Sequence, residues 1–114
     1  MRFLVVLRAA EATSPPPPEL MEAIMRLGDE ATQAGQLLDT AGLAPSAAGA
    51  RVQLIGGGIS ATDGRFAEAK ELISYALYDV RGKEEAVEWT SRFLRLHRDL
   101  WPGWEGEADV LKLY

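Results

Sequence analysis

The 114-residue chain has no cysteine and a single histidine, His97. Disulfides, thiolate zinc sites and thiol nucleophiles are therefore excluded, and one imidazole does not build a histidine-rich metal centre. We read no metal site and no cofactor. Long apolar runs are missing as well. Met1-Arg2-Phe3-Leu4-Val5-Val6-Leu7-Arg8 begins like a secretory signal, but Arg8 ends the apolar run after five residues, far short of the roughly 18 that a membrane-spanning helix needs. The segment reads as a buried strand in a cytoplasmic protein with no membrane partner. Basic clusters are equally scarce: twelve Lys and Arg are scattered among seventeen Asp and Glu, for a net charge of -5. That balance argues against nucleic acid as a partner. No serine has a recognisable base partner, so hydrolase triads find no support.

What is present is ordinary globular composition, 47% hydrophobic and 25% charged, enough for one core and a single domain over residues 1–114. Phe3 to Leu7 is apolar at every position, the pattern of a strand covered on both faces. After the proline tract Pro15–Pro18, a helix is expected to start at Pro18 and end at Gly35. Its stripe is Leu20, Ile24, Leu27, Ala31 and Ala34, widened by Met21 and Met25. Gln36–Ala41 and Arg51–Ile55 read as strands around a Gly/Pro/Ser/Ala loop, and Gly56-Gly57-Gly58 as a hairpin turn into Ile59–Thr62. The triplet lacks the spacing of a phosphate loop. Leu72–Val80 is the longest strand, with Tyr75 and Tyr78 on opposite faces. A second helix begins near Lys83, with the stripe Ala86, Trp89, Phe93, Leu96 and Leu100, and a last strand spans roughly Glu107–Leu113.

This order predicts an α+β domain: an antiparallel sheet of about four main strands, an extra hairpin, and two helices on one face. The helices cover only that face, yet the strands are apolar on both. A chain this short has no further segment to spare, so the opposite face predicts a homodimer, two sheets stacked about 10 Å apart around a two-fold axis.

The segment Thr62-Asp63-Gly64-Arg65-Phe66-Ala67-Glu68-Ala69-Lys70-Glu71 resembles the TDGPFAETKE signature of the DGPF proteins of the YCII-related family, with eight of ten positions matching. The opening MRFLVVLR, Ala41–Pro45, Lys83–Trp89 and Gly106-Glu107 extend the resemblance over nearly the whole chain. It implies a ferredoxin-like βαββαβ fold paired as a dimeric α/β barrel. It also implies, for the better-defined enzymes, a His-Asp pair near the first strand and helix. This sequence has no histidine before His97, so that dyad is not carried over. Arg65 stands where the family has proline and Ala69 where it has threonine.

The candidate ligand-binding residues are Asp63, Arg65, Phe66, Glu68 and Lys70 of this loop, placed at the rim of a cleft between the sheet and a dimer partner, with Tyr75 or Tyr78 as donor to a small molecule. Each has a structural alternative. Asp63-Gly64 fits a turn in which glycine supplies a positive φ, Glu68 and Lys70 suit a mutual ion pair, and either tyrosine suits a core. His97 reads as structural or solvent-facing at a helix C-terminus. Trp101 and Trp104 pack on that helix or across the dimer seam. The reading is a small-molecule-binding homodimer. The alternatives are an acid/base enzyme using Asp63 and a tyrosine, and, from the resemblance, an interaction module linked to alternative sigma factors.

Overall fold

The computed structural model describes residues 1–66 and 69–114. Eight elements run in the order β1 (Arg2–Ala9), α1 (Pro18–Gln33), β2 (Leu37–Gly42), β3 (Ala50–Ile55), β4 (Gly58–Asp63), β5 (Glu71–Asp79), α2 (Lys83–Leu100) and β6 (Glu107–Lys112), with one 3-10 turn at Ser46–Ala48. The main sheet runs β2-β5-β1-β6, every neighbouring pair antiparallel. This α+β arrangement, with two helices and an antiparallel sheet, is compatible with a ferredoxin-like fold. No helix among the described residues is long and apolar enough to cross a membrane.

Local chemistry sets the boundaries. Pro18 opens α1, where its missing N–H costs nothing. At the other end Gly35, with φ of 73°, lets its own N–H reach the Thr32 carbonyl and that of Gln36 reach Ala31, closing a Schellman motif. Gly56 and Gly57 both take positive φ, as a two-residue type I′ turn between β3 and β4 requires. α2 places Glu84 and Glu85 in its first turn and His97 and Arg98 in its last, the order that complements the helix dipole.

The dense core lies at one end of the sheet's helix-covered face. Phe3 pairs with Tyr78 across β1 and β5, and both pack with Val5, Ala31, Val80, Ala86 and Trp89. Two expected helix stripes need correction. Met21 and Met25 are exposed, and so is Ala34, because only a narrow strip of α1 meets the rest of the molecule. On α2 the buried positions are Ala86, Trp89, Thr90 and His97, while Leu96 and Leu100 are half-buried flanks. Two polar residues thus occupy the inward arc, a substitution that a hydrophobic-only stripe does not register.

β3 and β4 form a separate two-stranded sheet. Every residue of both strands is exposed. The base of this arm is fixed by the Gly64 N–H, which donates to the Gly49 carbonyl at 2.9 Å.

Candidate functional site: a hollow between sheet and helices

The cavity arises from residue size along the strands. At the Phe3 end the inward residues are large. Towards the other end Val5 faces Ala76, and Leu7 faces Ser74 on one side and Ala108 on the other; on β2, Gly42 lies beside Ser74. Small residues under two helices leave space. The result is a hollow of about 460 Å³, partly open to solvent, within the 300–1,000 Å³ usual for small-molecule sites. α1 walls it with Leu20, Ile24 and Leu27, while Phe93, His97, Trp101 and Trp104 close the α2 side.

No Asp, Glu, Lys or Arg is among its described lining residues. Of the polar side chains there, the Thr40 hydroxyl donates to the Tyr75 carbonyl and the Thr90 hydroxyl to the Ala86 carbonyl, each at 2.8 Å. Tyr75 donates its hydroxyl to the Asp39 carboxylate at 2.8 Å, a bond that holds its pKa above the ordinary tyrosine value. The Tyr78 hydroxyl is also pushed up, by burial. His97 is 5% exposed. Its Nδ1 lies 2.9 Å from the Phe93 carbonyl, and its ring sits between those of Phe93 and Trp104, at centroid distances of 4.6 and 4.4 Å. Burial lowers its pKa, the Phe93 carbonyl opposing this in part.

The signature loop builds a second, more open hollow of about 480 Å³, with Phe66, Lys70, Glu71, Arg8 and Arg51 on its wall. Glu71 organises it: one carboxylate oxygen accepts from the Ser46 hydroxyl at 3.0 Å, and the other accepts from the Ser46 N–H. Arg65 pairs with Glu11 and with Glu71, which raises its pKa further, the Glu11 hydrogen bond leading. Arg51 lies over the Phe66 ring at 4.3 Å.

The seven expected site residues are thus dispersed. Phe66 and Lys70 line the open hollow, and Arg65 ties the loop to Glu11. Asp63 is exposed at the end of β4. Glu68 lies outside the described residues. Lys70 pairs with Glu107 at 3.0 Å. Tyr78 faces the helices and Tyr75 belongs to the opposite face, where the carboxylate brought to it is Asp39 rather than Asp63. Gly64 is not at positive φ; a Cβ there would run into the Ser46 carbonyl, so close backbone approach is what requires glycine.

This hollow is on the helix side of the sheet, not on the side where the apolar patterning of the strands predicts a cleft. His97 is buried, as the structural of its two expected readings requires, and it also lines that hollow. The signal for it was the spacing 86, 90, 93, 97, one α-helical arc that includes a threonine and a histidine. Trp101 and Trp104 stack on each other at 6.0 Å and line the hollow, with Trp104 packed on His97 of α2, the helix-packing alternative of the two expected. No group of three or more potential metal ligands occurs among the described residues. No family model matches the chain, and no curated protein matches it.

Proposed function

We propose that this protein binds a small, largely apolar molecule between its sheet and its helices. The observation that carries the reading is the partly open hollow of about 460 Å³ lined by Leu, Ile, Phe and Trp side chains. Apolar side chains gathered around a concavity leave surface that a bound apolar molecule would cover. The neutral dye N-phenyl-1-naphthylamine tests it. The dye is expected to bind saturably, one per chain, and to be lost in Ala76→Phe, which fills the hollow from β5, while far-UV circular dichroism stays the same. Absence of dye binding, or equal binding by Ala76→Phe, overturns the proposal.

The protein acts, in this reading, as a homodimer of the kind implied by its resemblance to the DGPF proteins of the YCII-related family, with two open sheet faces forming a dimeric α/β barrel. The open face carries Leu4 beside Leu77 and Leu111, and Val6 beside Tyr75. Its rim alternates in sign through Arg8–Asp109 and Lys70–Glu107, so a two-fold axis can bring opposite charges together. The arm supports the same partner. Val52, Leu54, Ile55 and Ile59 are 67–71% exposed, apolar surface that a second copy would cover.

A further inference from the structure

If the hollow is a binding site, its polar atoms say more about the ligand than its volume does, and they do so only on that reading. His97 Nδ1 faces the Phe93 carbonyl at 2.9 Å. A carbonyl only accepts, so Nδ1 carries the proton. In the neutral ring, which burial favours, Nε2 is then a lone-pair acceptor and nothing else.

That nitrogen has no partner among the described residues: the one hydrogen bond of the side chain is made by Nδ1. Neither is it sealed in, because no fully buried side-chain nitrogen or oxygen among the described residues lacks a partner. His97 is nevertheless 5% exposed, flanked on its ring by Phe93 and Trp104, and the open space it borders is the cavity. Nε2, on the far side of the ring from the nitrogen that meets the Phe93 carbonyl, is the polar atom His97 has left to offer that space. The Ser74 and Tyr78 hydroxyls also line the cavity without a partner among the described residues, but a hydroxyl rotates to donate or accept and selects nothing by itself.

We propose that the cavity is a site for an uncharged, mainly apolar molecule that presents a hydroxyl or N–H group to His97 Nε2, as a phenol or an indole does. The absence of any charged side chain among the described lining residues sets the charge, since an ion buried there would have no counter-charge. An acceptor-only ligand would leave Nε2 desolvated and facing another lone pair, a penalty of the kind that lets a hydrogen-bonding site reject an analogue lacking the group.

Three probes of similar shape separate these ideas: 1-naphthol, 1-methoxynaphthalene and naphthalene, titrated by calorimetry into the full chain at pH 7.5. The wild type is expected to bind 1-naphthol about tenfold more tightly than 1-methoxynaphthalene, the effect of one net hydrogen bond. In His97→Phe, which keeps a ring between Phe93 and Trp104, that ratio is expected to fall to about 1. A second measurement uses only the wild type: the Nε2 ¹⁵N resonance of His97 moves on adding 1-naphthol and does not on adding 1-methoxynaphthalene. If none of the three probes binds, the cavity proposal itself fails. If all bind with equal affinity, or the naphthol preference survives in His97→Phe, or the Nε2 resonance stays still, the cavity stands and the assignment to His97 is overturned.

Discussion

The Phe3 end of the sheet and the β3–β4 arm are built from the same kinds of residue and treat them oppositely. Phe3, Val5, Tyr78 and Trp89 are buried against one another, whereas Val52, Leu54, Ile55 and Ile59 are 67–71% exposed on a ladder that touches the rest mainly at its base. Apolar content alone therefore does not say where the stability lies. The first region accounts for folding, because its burial is complete within one chain. The second has its apolar surface still to bury, which makes it the place where association is expected to act.

The largest effect should come from breaking the first region. Phe3→Ala removes a ring that is 3% exposed and is expected to lower unfolding free energy by about 3–5 kcal/mol, a large part of a small domain's stability. Urea denaturation at two protein concentrations checks it: the loss should be the same at both. The double variant Leu54→Ser/Ile59→Ser is the converse. It should keep the far-UV spectrum and, by sedimentation velocity, weaken self-association at least about a hundredfold, roughly 2.7 kcal/mol. A wild-type chain that stays monomeric at high concentration would end the role given to the arm.

The filled and hollow ends of the helix-side face offer a finer contrast. At the filled end, Gln36 accepts from the Trp89 indole and donates to Glu85 at 3.2 Å, joining the start of β2 to α2. Gln36→Leu leaves the indole N–H without its acceptor and is expected to cost about 1–2 kcal/mol, read as a fall in Tm. At the hollow end the sign reverses. Ser74→Val puts apolar volume into the cavity and should raise stability by roughly 0.5–1 kcal/mol while weakening probe binding. A variant that is both less stable and unchanged in binding would show that Ser74 does not border usable space.

Much of the fold was legible because its signals are local. Pro18 and Gly35 bound α1, the Gly56-Gly57 pair turns the arm, and alternating or continuous apolar runs mark the strands. The cavity was not legible in the same way. It depends on which small residues end up side by side, Ala76 next to Val5 and Ala108 and Ser74 next to Leu7, and register is set by pairing between segments some 70 to 100 residues apart. The signature loop misled for a related reason. Its charged residues look like a site in one dimension, but Arg65 and Lys70 are taken up by Glu11, Glu71 and Glu107 from other elements. His97 escaped because a polar residue counts against a buried stripe until its neighbours are known.

The smallest effect is also the one that isolates His97. Burial lowers its pKa below 6.5 in the folded chain, whereas the unfolded chain titrates near the ordinary value of about 6.5. Above that pH both states are neutral and the residue contributes no slope. As pH falls through 6.5 the unfolded state takes up a proton that the folded state refuses, so stability drops on acidification until the folded pKa is reached. The paired carboxylates act elsewhere. Glu30, Glu85 and Asp99 have pKa values held down by arginine partners, so their contribution is present above about 4.5 and disappears only below it. Stability measured by urea titration between pH 7.5 and 5 should thus fall in the wild type and fall less in His97→Phe, with the two curves parallel above pH 7. If 1-naphthol occupies the site through Nε2, its affinity should decline only once the pH falls through the lowered pKa of the folded chain, because a protonated ring offers no lone pair. A stability slope between pH 7.5 and 5 that is the same in His97→Phe as in the wild type would remove the histidine from this balance.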